Sequence, residues 1–369
     1  MKKFDFNLEI PLNTVSFGFV AQNICRNLWQ RGLEPCIHLI HNNCDLSAYK
    51  IDADFTKWFE SCIKKAKAKY SKLQPSFRLW HVVESENSVS CKTVLNTYFE
   101  LNSLTPTEIN VLSNQSSILL TSKYSIDVFN KFGINHTNFM PLAFDRVHFF
   151  DTKKKYLGPD IITHGLFGKL EPLRKRHKKI IQLWLKKYGG NRRYALHLCL
   201  HNPHLTPEQH NALLGDIFEN KKPPFIVNLL GFCNTLAALN DAWNSVNIVT
   251  DCGTESWSLP SFHTVALGKY GVIGNYGGLQ SWTNERNSIL IPPTEKMISA
   301  EDGVFFKRGG EYNDGEIFDF NEEDLLKGWE EAEKRYLANK VNTEGLKLQT
   351  DFPWTKTVDI ILDELQKLV

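Results

Sequence analysis

A glycine-bounded, strongly basic segment at positions 165–177 carries the clearest chemical signal in this chain, reading Gly-Leu-Phe-Gly-Lys-Leu-Glu-Pro-Leu-Arg-Lys-Arg-His. It follows a short apolar run and opens an amphipathic one, which predicts a strand, a turn and a helix. Amides at a helix start and nearby cations favour a bound phosphate. Lys169, Arg174 and Lys175 are therefore expected to stabilise a departing diphosphate. The alternative is a solvated basic helix face.

A second segment, at positions 251–263, places a carboxylate after an apolar run and before a Leu-Pro helix start. This order puts Glu255 at the edge of the predicted strand, where its carboxylate is expected to bind sugar hydroxyls. The pair Gly277 and Gly278, after the next apolar run, allows a ligand to approach the backbone closely.

Gly18 lies between the first predicted strand and the first predicted helix. Glycine there lets a phosphate approach the helix start, although an ordinary tight turn between strand and helix is the alternative. No Gly-x-Gly-x-x-Gly follows the strand, so the sequence does not indicate a dinucleotide cofactor.

Short apolar runs alternate with longer amphipathic ones, which is typical of an α/β chain with parallel strands. The length of 369 residues exceeds what one core usually holds. A polar, basic stretch at 144–159 is the expected linker. We therefore predict one Rossmann-like domain at 1–150 and a second at 151–352. Ligands bind beyond the carboxyl ends of such strands, so the two domains are expected to face across a cleft.

Composition limits the class of protein. The net charge is +2, which argues against a surface that is basic throughout. No apolar run approaches the roughly 20 residues of a membrane helix, and the N-terminus lacks a signal-peptide core. A cytoplasmic protein with no integral membrane segment is the expectation. The eight cysteines form no Cys-x-x-Cys pair and no Cys/His zinc spacing, which predicts buried, reduced thiols and no metal site.

These segments, in this order, resemble the retaining GT-B glycosyltransferases of family 4, known as glycosyltransferase group 1. That family has a Gly-Arg-(x)n-Lys phosphate clamp, a Glu-x7-Glu signature and a following Gly-Gly. The clamp here is Gly168-Lys169 with Arg174-Lys175, and the signature runs from Glu255 through Leu259-Pro260 to His263. The stretches at 141–149 and 352–355 resemble the family's linker and its Phe-x-Trp before a final helix.

The resemblance implies a GT-B fold whose last helix, at 353–369, packs back toward the N-terminal, acceptor-side domain. It implies metal-independent transfer of a hexose or pentose from a nucleotide-diphosphate sugar, with a UDP-sugar as the first choice of donor, and retention of the anomeric configuration. The implied donor-binding residues are Gly18, Lys169, Arg174, Lys175, Glu255, Leu259, His263, Gly277 and Gly278.

Two residues depart from the family pattern. Lysine replaces the clamp arginine at position 169, which keeps the charge but loses the two-pronged guanidinium. His263 replaces the second glutamate, which holds the nucleotide ribose in the family. A histidine can still hydrogen-bond a hydroxyl, but a degenerate site that binds a nucleotide sugar without catalysis stays open.

The acceptor side carries weaker signals. The family often places a histidine at a strand end near the transferred sugar, and Glu100 and His81 are the candidates for this position. Asp52-Ala53-Asp54 spells a metal-binding Asp-x-Asp, but a helix cap is the preferred interpretation.

The identity of the acceptor stays open. A glycan or a small molecule is the first expectation. The basic runs at 64–69 and 153–155 leave open a modified nucleobase in DNA, as in phage-type DNA glycosyltransferases. The stretch at 58–70 leaves open a lipid surface.

Overall fold

The computed structural model describes residues 4–50, 52–158, 160–302 and 305–369, and these divide into two units. The first unit contains the chain up to Asp145 together with Phe306–Gly315 and Phe352–Val369. The second contains Arg146–Phe305 and Glu316–Asp351. The segment Phe306–Gly315 thus lies with the first unit, although the sequence places it inside the range 151–352.

The first unit is built on a parallel sheet. Within the described residues, its strands are β1 (Asn7–Leu12), β2 (Cys36–Cys44), β3 (Ser76–Leu79), β4 (Thr93–Thr97), β5 (Ser117–Leu120) and β6 (Thr137–Phe139). They lie in the order β2-β1-β3-β4-β5-β6. The helices are α1 (Ser16–Gln30), α2 (Ala53–Lys69), α3 (Pro106–Ser113) and α4 (Lys123–Lys131), with a short 3-10 helix at Ser85–Asn87.

The second unit repeats this plan. Its strands in the described ranges are β7 (Ile162–Phe167), β8 (Tyr194–Cys199), β9 (Val227–Leu229), β10 (Ile248–Asp251), β11 (Tyr270–Gly274) and β12 (Ser288–Ile291), with a small antiparallel pair of β13 (Ile298–Ser299) and β14 (Glu316–Ile317). The six long strands run parallel in the order β12-β11-β10-β7-β8-β9. The helices are α5 (His177–Tyr188), α6 (Pro207–Ile217), α7 (Leu236–Asn244), α8 (Leu259–Ala266), α9 (Glu322–Ala338), α10 (Thr343–Leu346) and α11 (Leu348–Asp351), with a 3-10 helix at Gly277–Ser281.

Both sheets contain strands that are buried on both faces. Every residue of β1 and of β7 is buried, as expected when crossover helices cover a parallel sheet on two sides. Local signals start the helices as well. Thr105 and Glu108 form a reciprocal capping box at the start of α3, with a proline at the first helical position.

The final helix, α12 (Trp354–Gln366), belongs to the first unit, as the resemblance implies. Asp359 pairs with Arg31 at the end of α1, with 2.5 Å between Oδ1 and Nη1. The Thr357 hydroxyl donates to the Pro141 carbonyl at 2.8 Å. The chain therefore returns to its N-terminal domain after completing the second one.

The strand orders place a switch point in each sheet. In the first sheet the chain runs from β1 outward to β2 and then crosses to β3, so the direction reverses between β1 and β3. In the second sheet it runs from β7 to β9 and then crosses to β10, so the reversal lies between β7 and β10. The loops that leave adjacent strands on either side of such a reversal diverge and form a ligand crevice at the carboxyl edge.

Candidate functional site

The loop after β7 is held in one conformation by its own unit. Gly168 has a φ of +127°, which disfavours any side chain there. Its N–H donates to the Cys199 carbonyl at 3.0 Å, and the Asn202 amide donates to the Leu170 carbonyl at 3.1 Å. A Cβ at position 168 would lie 3.4 Å from the Lys175 Nζ. The glycine therefore leaves room for the lysine head to lie against the loop.

The loop after β10 is organised around a buried carboxylate. Asp251 accepts hydrogen bonds from the Ser258 hydroxyl, the Ser261 hydroxyl at 2.6 Å and the Gly253 N–H at 3.1 Å. Burial raises the pKa of Asp251, and the nearby Glu255 raises it further. Ser258 has a φ of +63° immediately before α8. The hydrogen bonds to Asp251 hold this turn and so fix where Glu255 lies.

Arg174 joins the two loops. Its backbone carbonyl accepts from the Thr254 N–H at 3.0 Å, and its guanidinium Nη1 donates to the Thr254 carbonyl at 2.9 Å. The loops leave β7 and β10, which are paired neighbours in the sheet. The site therefore lies at the switch point of the second unit.

Five charged side chains meet there, and we call them the charge cluster: Lys169, Glu171, Arg174, Lys175 and Glu255. Glu255 pairs with Lys175 and, at 3.2 Å, with Arg174. Glu171 pairs with Arg174 at 2.5 Å and with Lys169 at 3.4 Å. Glu255, Arg174 and Lys175 are each at most 8% exposed, whereas the Lys169 side chain is 36% exposed. The structure thus brings together the cations and the carboxylate that the sequence singles out.

The electrostatics of the cluster keep both carboxylates ionised. Burial raises the pKa of Glu255, but the charges of Arg174 and Lys175 outweigh it and lower the pKa below its ordinary value. The pKa of Glu171 falls well below its usual range for the same reason: burial is outweighed by Arg174, Lys175 and Lys169. The three cations outnumber the two carboxylates that pair with them, which suits an anionic ligand.

Glu171 is the member of the cluster that has no role in the sequence interpretation. Its N–H donates to His177 Nδ1 at 3.3 Å, and burial lowers the pKa of His177 to about 3, so that this imidazole is neutral at pH 7. In the sequence, Glu171 could have been identified as the single acidic residue of an otherwise basic loop, three positions before Arg174. That spacing lets the two side chains pair across one turn.

Acidification is expected to destabilise the protein through Glu171 and Glu255. Both have a lower pKa in the folded chain than the roughly 4.3 of an unfolded glutamate. Their contribution to the free energy of unfolding is therefore fully present above that value and is lost as the pH falls through the folded pKa. Urea midpoints measured from pH 7 down to pH 3 should fall in the acid range. The double variant Glu171→Gln/Glu255→Gln should show a shallower fall. An equally steep fall in that variant would contradict the assignment.

The remaining donor-side glycines contact the protein's own backbone. Gly277 has a φ of +58°, and the Gly278 N–H donates to the Glu255 carbonyl at 2.7 Å. A Cβ at position 278 would lie 2.0 Å from the Ser256 carbonyl oxygen. The glycine pair therefore packs against the loop that carries Glu255.

His263 is buried in the second unit. Its Nδ1 donates to the Leu259 carbonyl at 2.7 Å, and its ring stacks on Trp243 with 5.2 Å between centroids. Phe149 packs edge-on against the same ring at 4.7 Å. The side chain thus has a hydrogen-bonded, aromatic environment.

Gly18 lies in the first turn of α1, because this helix begins at Ser16 and not after Gly18 as the sequence predicts. A Cβ on Gly18 would lie 2.0 Å from the Asn13 carbonyl oxygen, and the Gly18 N–H donates to Asn13 Oδ1 at 3.3 Å. The close backbone approach at this glycine is to Asn13 of the same loop.

His81 and Glu100 lie at the carboxyl edge of the first unit, directly after β3 and shortly after β4. Both are half-buried. His81 contacts Phe17, with 4.6 Å between ring centroids. The sequence interpretation missed the other aromatic side chains that surround His81 here. The aromatic residues directly after two predicted strands, Trp-His after β3 and Tyr-Phe after β4, are the feature of the sequence that could have indicated them.

The basic runs and the Asp-x-Asp have structural partners. Asp52 Oδ1 accepts from the Phe55 N–H at 2.7 Å, which confirms that Asp52 caps α2. Lys65 pairs with Asp5 at 2.8 Å and donates to the Glu34 carbonyl, residues that precede β1 and β2. The lysine-rich end of α2 therefore lies at the amino edge of the first sheet. In the second unit, Lys154 pairs with Asp241 at 2.8 Å.

The described residues contain no group of three or more His, Cys, Asp or Glu side chains arranged to hold a metal ion. In the part of the chain that the structure describes, no helix has the length and apolar character required to cross a membrane. The cysteines are free thiols, but Cys44 and Cys91 are exposed, so the expectation that the thiols are buried is wrong for these two. Cys44 ends the edge strand β2, and Cys91 lies in the loop before β4.

Comparison with known proteins supports the fold. No family model and no curated protein sequence matches this chain. Sucrose-phosphate synthase from Thermosynechococcus elongatus is similar over 100% of this chain and 99% of its own, with a TM-score of 0.68 and 12% identity. A glycosyltransferase from Rickettsia africae matches over 100% and 99%, with a TM-score of 0.67 and 10% identity. Anabaena HepE in complex with UDP-glucose matches over 98% and 99%, with a TM-score of 0.63 and 12% identity.

These similarities establish that the chain has the fold of the GT-B glycosyltransferases, with two Rossmann-like units. The resemblance drawn from the basic loop, the acidic signature and the final helix is confirmed at this level.

Proposed function

We propose that this protein is a glycosyltransferase that moves a sugar from a nucleotide-diphosphate donor to an acceptor hydroxyl. The charge cluster is the observation that carries the proposal. Arg174, Lys175 and Glu255 at its centre are buried, its cations outnumber the carboxylates that pair with them, and it lies at the switch point between β7 and β10, where α/β sheets bind their ligands. Such a set of cations stabilises negative charge that develops on a leaving diphosphate.

Four members of the cluster have a direct role in this reaction. Lys175 and Arg174 bind the diphosphate, and the more exposed Lys169 contributes its charge at the rim. Glu255 aligns the two buried cations before the donor binds and positions the sugar hydroxyls. The bond from the anomeric carbon to the diphosphate oxygen breaks, the bond to the acceptor oxygen forms, and the acceptor proton passes to the leaving phosphate.

We further propose that transfer retains the anomeric configuration and needs no metal ion, since Lys175 and Arg174 supply the positive charge. A UDP-sugar is the first choice of donor. The similar structures include Anabaena HepE with UDP-glucose and a trehalose-6-phosphate protein from E. coli with UDP-2-fluoro glucose. We expect Gly18 and His263 to affect donor binding indirectly, through the loops that they stabilise.

The proposal is tested by titrating UDP-, GDP- and ADP-sugars into the protein by calorimetry, with EDTA or with manganese, and by following release of the nucleoside diphosphate. We expect one donor to bind equally well in both buffers and to be hydrolysed slowly in the absence of an acceptor. Binding without any release would favour a non-catalytic nucleotide-sugar protein. No binding to any donor would contradict the proposal.

A further inference from the structure

Two cysteine thiols meet at the carboxyl edge of the second sheet, and we call them the thiol pair: Cys199 and Cys233. Cys199 is the last residue of β8, and Cys233 lies in the loop between β9 and α7. These two strands pair directly, with Leu198 opposite Leu229. The two sulfur atoms are 3.6 Å apart, although the residues are 34 positions apart in the chain. The fold therefore brings into contact two free thiols from separate elements.

The surroundings of the thiol pair allow the sulfur atoms to approach further. A disulfide bond of roughly 2.05 Å requires them to move together by about 1.5 Å. Cys199 is fixed by the sheet, where it lies opposite Phe167 of β7, and it is 8% exposed. Cys233 follows Gly231 and Phe232, which are both exposed. A shift of this surface loop can therefore close the distance while the sheet stays in place.

The two thiols differ in access and in acidity. Cys233 is half-buried, whereas Cys199 is buried. A hydrogen bond from the Cys199 thiol lowers the pKa of Cys233 and outweighs burial, which raises it. Burial raises the pKa of Cys36 and of Cys44. Because the thiolate is the form that attacks a disulfide, Cys233 is the sulfur expected to react first.

The thiol pair adjoins the loop after β7, which carries part of the charge cluster. The Gly168 N–H of that loop donates to the Cys199 carbonyl at 3.0 Å. The Asn202 amide, three positions after Cys199, donates to the Leu170 carbonyl at 3.1 Å. The segment that follows β8 therefore contacts the loop after β7 and also carries one member of the thiol pair.

We propose that the thiol pair is a redox-sensitive modification site, at which a small-molecule disulfide such as oxidised glutathione converts the two thiols into an intramolecular disulfide. The bond restrains the loop after β9 next to the loop after β7. This chemistry requires neither a sugar donor nor an acceptor, so the inference does not depend on the proposed glycosyl transfer.

The reaction is a pair of thiol–disulfide exchanges. The Cys233 thiolate attacks one sulfur of oxidised glutathione, forms a mixed disulfide and displaces one glutathione as its thiolate. Cys199 then loses its proton, and its sulfur attacks the Cys233 sulfur and displaces the second glutathione. The released glutathione thiolates take up the two protons. Two protein thiols are thus oxidised to one disulfide, and one molecule of oxidised glutathione is reduced to two thiols.

The test incubates the folded full chain with oxidised glutathione, stops the exchange with acid and maps the linked peptides by mass spectrometry. We expect a peptide that links Cys199 to Cys233, and dithiothreitol should restore both thiols. Hydrogen exchange in the loop at 230–234 should be slower by about threefold or more in the oxidised protein, because a cross-link limits local opening.

Serine variants assign the order of the steps. Cys199→Ser should keep one glutathione on Cys233, because no second thiol is present to displace it. Cys233→Ser should leave Cys199 reduced, since that thiol is buried. Cys44→Ser/Cys91→Ser is the matched control: it removes the two exposed thiols, and it should form the Cys199–Cys233 link as the wild type does and retain no glutathione.

Three results would overturn the inference: no link between Cys199 and Cys233 in the folded wild type, a glutathione that stays on Cys233 although Cys199 is present, or equal exchange of the loop at 230–234 in the oxidised and reduced proteins. All of these measurements are made without a nucleotide sugar. A failure here is therefore distinguishable from a failure of the proposed function, which is measured by donor binding and nucleoside diphosphate release.

Discussion

Replacing Lys175 with alanine is expected to lower the rate of nucleoside diphosphate release about 10²–10³-fold, the loss typical when one preorganised group that stabilises developing charge is removed. The Lys175 ammonium is buried beside Gly168 and is held by Glu255. It therefore needs little reorganisation when the diphosphate takes on charge. The rate is measured with the donor that the calorimetric panel identifies, at a saturating concentration.

Lys178→Ala is the control for this prediction. Lys178 lies three residues further along, in the first turn of α5, but its side chain is exposed and pairs with Asp216 at 2.7 Å. Its removal should leave the rate unchanged. The Lys175→Arg variant should recover only part of the activity, since a planar guanidinium does not fit the space left by Gly168 for a compact ammonium. Activity of Lys175→Ala within threefold of the wild type would rule out this lysine as the main diphosphate ligand.

Replacing Glu255 with alanine is expected to destabilise the protein by about 3–5 kcal/mol, the usual cost of breaking a buried ion pair by removing one partner. Glu255 pairs with both Lys175 and Arg174, each at most 8% exposed. Without the carboxylate, both cations stay buried with less compensation. Urea unfolding followed by tryptophan fluorescence measures the change. Binding of the donor should weaken in the same variant, because the cations lose their alignment.

Two variants separate charge from packing at this position. Glu255→Gln keeps the shape and removes the charge, so it should lose less stability than alanine but a similar share of donor binding. Glu323→Ala removes a carboxylate from an exposed pair with Lys327 on α9, where screening by water makes the contribution small. A Glu255→Ala protein as stable as Glu323→Ala would show that the buried pairs do not support the fold.

Much of the fold was predictable because its signals are local. Apolar runs such as β5 and β10 are short, continuous and bounded by polar turns, and this pattern identifies buried parallel strands without any tertiary information. Other elements have weaker or less periodic signals. Helix α3 is short, although its Thr-Pro start and capping box are in the sequence, and α9 lies in a charged stretch with few apolar residues.

The site was predictable in part, for a related reason. Lys175 and Glu255 stand out because each follows an apolar run and precedes a helix start, so each is expected at a carboxyl edge. Which edges adjoin is not a local property. The pairing of β10 with β7 depends on the order in which the chain adds strands to the sheet, and this pairing is what brings the lysine and the glutamate together.

The sequence by itself determined the class of fold and the residue types available for binding a diphosphate, because periodicity, helix starts and charge are local properties of the chain. The return of the last helix was expected only from the resemblance to the family. The tertiary structure decided what those residues contact. It places Glu171 in the charge cluster and packs Gly18 and Gly278 against neighbouring backbone. It also brings Phe17 of α1 together with Trp80 and Tyr98, which follow β3 and β4. Such contacts join residues far apart in sequence, and only the packing of a complete sheet specifies them.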